Sequence, residues 1–330
     1  MVYIESKSKD AAFHFSVEEY VMRHYPFNEP VIMIWQADKC AMLGRNQIAE
    51  AEIDINYARQ EGIQIVRRSS GGGTIFTDLG TLLYTMILPH KEDISLEEVR
   101  EKIAGPVVRA LNEMNVPAKI EGRNDILVKG KKVSGIAQYV RHGRICTHGS
   151  LLYDANLETL TQVLCVDEGK ISTKGLRSVR SRVANLKEYM NSSYSVYDFW
   201  DLLKKNLFPG QQIREYSLTE NDIDQINLIF QEQYGNLSWT FEQAPQFSFH
   251  NSKRFAGGNV EIYLDIKKGA VSSCLIRGDF LGVLPIRDLE TLFENKLFQH
   301  QAFAEALDGI AIQLYLGNIT ADEFLSCIFD

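Results

Sequence analysis

The chain has 330 residues, 45% of them hydrophobic and 24% charged, with a formal net charge of −8. That composition excludes a largely disordered or collagen-like chain, and at roughly 150 residues per domain it leaves room for two domains. The acidic balance argues against nucleic acid as a partner, although it leaves room for a local basic loop.

In chain order, Ala12, Phe13, Val17, Tyr20, Val21 and Met22 recur at mostly three- and four-residue spacings. With Glu18 and Glu19 between them, they predict an amphipathic helix over 11–23 that ends before Pro26. Short β-rich runs follow at Val31–Trp35, Cys40–Leu43, Ile63–Val66 and Leu82–Leu88, with a helix-like stretch near Ala49–Gln60. A helical run at Leu96–Met114 leads to Asp125–Val128, Lys132–Val140 and Arg144–Tyr153. The Lys129-Gly130 and His142-Gly143 turns between these strands predict antiparallel hairpins. Helical patterns occupy Leu157–Leu164 and run from Tyr197 through Phe230, and Trp239–Gln246 reads as an inter-domain link. We therefore expect a large domain at 1–246 and a small α+β domain at 247–330. In the latter, Val260–Ile266 and Ala270–Ile276 form a hairpin, followed by helices near 289–296, 301–307 and 321–328. The fold class is α/β (α+β), with mixed or antiparallel sheets and flanking helices.

Arg67-Arg68-Ser69-Ser70-Gly71-Gly72-Gly73 lies between an apolar strand and a further one at Thr74–Phe76. Three glycines permit positive φ and close backbone approach. With two guanidinium groups and two hydroxyls, such a bend can cradle a phosphate or carboxylate; it can equally be a β-bulge with solvated arginines. No Gly-Lys-Ser/Thr follows and no helix opens after it, so it is neither a Walker loop nor a dinucleotide-binding fingerprint. At the entrance of the next strand, Asn124 and Asp125 offer an amide and a carboxylate suited to Mg²⁺, or simply to capping a turn. Lys131 and Lys132 are sent to opposite faces by strand alternation, so one should point inward, where an anion would compensate its burial; a solvated pair is the alternative. Between Lys170 and Lys187 six basic residues occur without an acidic one, forming either a lid over an anion or a solvated loop. His148-Gly149 lacks a nucleophile elbow and an evident acid partner, so it reads as structural or ligand-lining.

Cys40, Cys146, Cys165, Cys274 and Cys327 are scattered without a Cys-x-x-Cys pair, which fits neither a disulfide framework nor a zinc site and suggests a reducing cytoplasm. The first ten residues are too polar for a signal peptide, and no apolar run approaches the roughly 20 residues of a membrane helix, so no membrane partner is expected.

These segments resemble the lipoate-protein ligase family over nearly the whole chain. The matching motifs are Gly44-Arg45-Asn46-Gln47, Arg67 to Gly73 followed by Asp78-Leu79-Gly80, Gly122-Arg123-Asn124-Asp125, Lys132-Val133-Ser134-Gly135-x-Ala137, His148-Gly149 and Ser178-Val179-Arg180-Ser181-Arg182. The resemblance implies a biotin-ligase-like catalytic domain with a C-terminal accessory domain. It also implies ATP and Mg²⁺ as cofactors, and two half-reactions: lipoate plus ATP gives lipoyl-AMP, whose acyl group then passes to a lysine of an acceptor. That acceptor would be a lipoyl domain of a 2-oxoacid dehydrogenase complex or a glycine-cleavage H-like protein. By the same similarity Lys132 is the catalytic lysine, and Arg68, Gly72, Gly73, Thr74, Ile75, Phe76, Lys132, Arg180 and Arg182 meet ATP or the adenylate. Ser70, Gly71, Lys132, Gly135, Ala137 and His148 meet lipoate, and Asn124 and Asp125 position Mg²⁺. Trp35, Leu43, Val133, Ile136 and Leu151 are candidates for the acyl channel. Thr77 and Thr81 depart from the family's usual histidine and asparagine. Two other readings compete: an ATP-independent acyl transferase using Cys146 or Cys165, and a non-catalytic binding regulator.

Overall fold

The computed structural model describes residues 1–24, 29–90, 96–122, 124–164, 182–190, 194–241, 247–267 and 269–329, with side chains left out at 50, 51, 96–100, 102 and 103. Its strands in chain order begin with β1 (Val2–Ile4), β2 (Val31–Trp35), β3 (Cys40–Leu43), β4 (Gln64–Arg67), β5 (Ile75–Thr77) and β6 (Thr81–Pro89). There follow β7 (Ala118–Glu121), β8 (Asp125–Val128), β9 (Lys131–Arg141), β10 (Arg144–Leu152) and β11 (Arg214–Tyr216). The last three are β12 (Phe249–Phe255), β13 (Gly258–Lys267) and β14 (Ala270–Gly278).

Eight of these form one mixed sheet in the order β11-β1-β2-β6-β10-β9-β8-β7. Only its β11-β1-β2 edge is parallel. Alternation along the central strands sends side chains to two separate cores. Ile32, Ile34, Leu82, Tyr84 and Met86 pack with Leu111, Phe199 and Leu203 on one face. Val31, Met33, Trp35, Leu83 and Ile87 pack on the other with Phe15, Val17 and Val21 of helix α1 (Ala11–His24). A second sheet, β4-β3-β5, carries the glycine segment between β4 and β5. The antiparallel β12-β13-β14 sheet packs with the following helices around a core of its own.

All three expected hairpins are present, β13 pairing antiparallel with β14, and the two of the large sheet each turn through two left-handed residues: Lys129 and Gly130 at φ 49 and 79°, His142 and Gly143 at 51 and 68°. That pair of positive φ angles matches the right-handed strand twist. Elsewhere the structure corrects the sequence reading. The helical stretch from Tyr197 through Phe230 is two helices, Val196–Leu207 and Glu220–Ile229, separated by β11. Pro209-Gly210, with Gly210 at φ 75°, ends the first helix and turns the chain to the sheet edge. The 49–60 stretch is likewise two short helices, because Asp54 caps a new one by accepting from the Tyr57 amide. β1, β7, β11 and β12 were not expected. Within 239–246, Trp239 and Thr240 belong to a helical turn, Leu237–Thr240, and 242–246 lie outside the described residues.

Candidate active site

The two sheets bring the glycine segment and β9 onto one cavity of about 590 Å³ including its open mouth. Phe15, Trp35, Met42 and Leu83 give it an apolar end. Gly72, Gly73, Thr74 and Lys132 give it a polar one, with Ile136, Ala137 and His148 along the wall. That mixed lining suits a small amphiphilic ligand.

Lys132 reaches the cavity through a bulge. Ile126 pairs with Ser134 while Leu127 pairs with Lys132, so Val133 is an extra residue that re-aims the lysine. Its side chain is 35% exposed, and Nζ lies 2.7 Å from Asp125 Oδ1. The compensating charge expected of a ligand is thus supplied, in this state, by the protein. The aliphatic stem passes over Gly135, where a Cβ would come within 3.2 Å of Lys132 Cε. The Lys132 carbonyl accepts from the Ala184 amide at 3.0 Å, which docks the end of the basic segment beside it.

The glycine bend leaves open whether Arg67 and Arg68 face an anion or solvent, and the resemblance gives a nucleotide contact to Arg68 alone. Arg68 lines the cavity, and both guanidinium groups are buried and donate to backbone carbonyls. Arg68 donates at 2.8 Å to the carbonyls of Met42, Gly71 and Gly73, and through Nε to Ser70 Oγ. Burial, and secondarily Arg67, pulls its pKa down to about 10, which leaves it charged at neutral pH. Arg67 donates to the carbonyls of Gly44 and Gln47 on one side and of Trp239 and Thr240 on the other. Arg68 therefore moulds the glycine segment from the cavity wall, and Arg67 holds the Gly44–Gln47 turn that packs against it. Gly72 adopts φ 86°, and its carbonyl lies where a side chain at Gly44 would have to be.

His148 has the acid partner that the sequence did not reveal. Its Nδ1 lies 3.0 Å from Glu18 Oε2, and its Nε2 lies 2.6 Å from Ser70 Oγ. Glu18 and Glu19 had read as the polar face of α1, yet both are buried. Apolar residues on every side of that helix were the available signal, since a helix without a polar face is a buried one.

Of the other expected site residues, Asn124 and Ile75 line the cavity, with Asn124 Nδ2 donating to the Ile136 carbonyl at 2.8 Å. Ser70 sits behind the wall under His148, and Gly71 packs against the Phe280 carbonyl. Phe76 belongs to the core of the small sheet. Asp125 stands beside the cavity, reaching it through Lys132. Arg182 is exposed, and Arg180, Arg177 and Cys165 lie outside the described residues. Among the channel candidates Trp35 and Ile136 line the cavity, whereas Leu43, Val133 and Leu151 are core. Phe15, Met42 and Leu83 line it without having been anticipated. Thr77 and Thr81 are buried off the wall, and their hydroxyls lack a hydrogen-bond partner among the described residues. Cys146 is buried, and that burial pushes its thiol well above the ordinary range, the reverse of an activated nucleophile. No described helix is long and apolar enough to cross a membrane.

The chain matches the family model of the lipoyl protein ligase A/B catalytic domain over residues 10–208. It matches that of the bacterial lipoate protein ligase C-terminus over 244–328. A lipoate-protein ligase of Bacillus subtilis is 34% identical over 333 residues, covering 100% of each chain. Among solved structures, Plasmodium falciparum LipL1 in complex with lipoate superposes with a TM-score of 0.76 at 20% identity, covering 98% of this chain and 97% of that one. A lipoate-protein ligase A bound with ATP gives 0.63 at 23% identity, covering 73% and 97%.

Proposed function

This chain belongs to the lipoate-protein ligase family and is a ligase, and from that premise we propose that it joins lipoate to a protein lysine by way of lipoyl-AMP. The observation that carries the reading is one cavity bounded by Lys132, by Gly72–Thr74 and by an apolar end. The acyl tail lies among Phe15, Trp35, Met42 and Leu83, and the carboxylate faces Lys132. A carboxylate oxygen attacks the α-phosphorus of ATP and pyrophosphate leaves. The acceptor amine then attacks the acyl carbonyl, AMP departs and the amine proton is lost. Both transition states concentrate negative charge, so fixed cations and donors govern the rate. The Lys132 ammonium can exchange Asp125 for the reacting oxygens, because its stem is held over Gly135 while its head is free to turn.

Asn124 and Asp125 present an amide and a partly exposed carboxylate beside the cavity, a donor set that fits Mg²⁺. When bound there, the cation would neutralise phosphate charge. We place the domain boundary at 246, with Trp239–Gln246 as the hinge that lets an acceptor approach. The acceptor is a lipoyl domain of a 2-oxoacid dehydrogenase complex or a glycine-cleavage H-like protein.

Mixing the protein with ATP, Mg²⁺ and lipoate should release pyrophosphate, and Lys132→Ala should abolish that release. A panel of purified lipoyl domains and H-like proteins then identifies the acceptor. Absence of pyrophosphate with every C6 to C8 acid would overturn the reading.

A further inference from the structure

A continuous chain of hydrogen bonds runs behind the cavity wall. The Trp35 indole N–H donates to the Thr85 hydroxyl at 3.0 Å, and Thr85 donates to Glu18 Oε1. Glu18 meets His148 Nδ1 at 3.0 Å, His148 Nε2 meets Ser70 Oγ at 2.6 Å, and Ser70 accepts from Arg68 Nε at 3.0 Å. Arg68 ends the chain on the carbonyls of Gly71 and Gly73. Three of its members, Trp35, His148 and Arg68, stand on the wall, and three, Thr85, Glu18 and Ser70, are buried behind it.

Glu18 is where the two directions of donation converge. A carboxylate only accepts, so Thr85 must point its proton at Glu18 and His148 must carry its own on Nδ1. Ser70 Oγ accepts from Arg68 Nε, so its own proton goes to His148 Nε2, which in the neutral Nδ1–H ring is an acceptor. We infer that Glu18 is a positioning residue for acid binding. It holds the indole and the imidazole in one arrangement through Thr85 and His148, without touching the substrate. The inference rests on the proposed function. Cys146 also lies near, its sulfur within 4.8 Å of ligand atoms of Glu18 and His148. Both imidazole nitrogens are already engaged, which favours hydrogen bonding over a metal centre in this trio.

Glu18→Gln keeps the shape but replaces one acceptor with a donor. We expect its KM for lipoate in pyrophosphate release to rise about tenfold, while its KM for ATP and its rate of transfer from added lipoyl-AMP stay within about twofold of wild type. Nitrogen-15 spectra of histidine-labelled protein, with His148 assigned by its loss in His148→Asn, should show the Nδ1–H tautomer in wild type and its loss in Glu18→Gln. The double variant Glu18→Gln/His148→Asn should be no worse than the poorer single, as befits one shared path. Should Glu18→Gln fail to fold, Thr85→Val and Ser70→Ala each cut one arm of the chain and should raise the same KM alone. A wild-type KM for lipoate in a folded Glu18→Gln, an Nε2–H tautomer in wild type, or stoichiometric zinc in the purified protein would overturn the assignment. Wild-type protein that releases no pyrophosphate would instead sink the ligase reading, leaving the tautomer measurement standing.

Discussion

A methyl group at position 135 would lie 3.1 Å from the Lys132 ammonium and 3.2 Å from its last methylene, and it would meet no backbone. The flexible lysine can give way, so Gly135→Ala should leave the thermal midpoint almost unchanged. Adenylation should nevertheless fall by about ten- to a hundredfold, because a reacting group displaced by a fraction of an ångström loses its alignment. Pyrophosphate release and a melting curve on the same sample check both halves. His14 tests a different residue-scale effect. It stacks on Trp35 with ring centroids 4.4 Å apart and hydrogen-bonds the Ser8 carbonyl through Nε2 at 2.9 Å. Burial pulls its pKa down to about 4, against about 6.5 in an unfolded chain. The unfolded chain therefore binds the extra proton between those values, so stability rises with pH across that window and is lost as pH falls through it. Between pH 7 and pH 5 the loss from this group should be about 2 kcal/mol. Denaturant titrations at the two pH values should show it, and His14→Phe should flatten the difference.

At the scale of elements, the large sheet separates the core that holds Phe199 from the one that holds the cavity residues Phe15, Trp35 and Leu83. Phe199, in the helix Val196–Leu207, is buried and stacks on Tyr153 with centroids 4.6 Å apart and planes 10° apart. Phe199→Ala should cost about 3–5 kcal/mol of stability by leaving a cavity in that core. The KM for lipoate should stay at its wild-type value, as steady-state kinetics below the new midpoint would show. The central strands and the two hairpins were legible in the sequence because each carries its own signal, a β-rich run or a pair of turn residues that tolerate positive φ. β1 and β11 are three residues each and hold their places by pairing with each other across the chain, so no local period marks them. The motifs placed Lys132 and the glycines on one site. They did not show that Arg67 and Arg68 face carbonyls, since a guanidinium reads the same in sequence whether its acceptor is a ligand or a peptide group. Glu18 was hidden for the corresponding reason: its partners lie 67 and 130 residues away.

Across the whole molecule, Arg67 joins parts distant in sequence, tying Gly44 and Gln47 to the Trp239 and Thr240 carbonyls that precede the C-terminal domain. Arg67→Lys keeps the charge but not the planar fork, so several buried carbonyls lose their donor. A loss of about 2–4 kcal/mol is expected. Hydrogen exchange should show Leu237–Thr240 losing protection ahead of the large sheet. A second tie crosses at the glycine segment itself, where the Gly72 amide donates to the Phe280 carbonyl at 3.0 Å. One proton cannot serve two acceptors well. Any anion that claims the Gly72 amide must bid against Phe280 for it, so filling the pocket and seating the smaller domain draw on a shared donor. By reciprocity, whatever strengthens one of those holds must weaken the other by an equal factor.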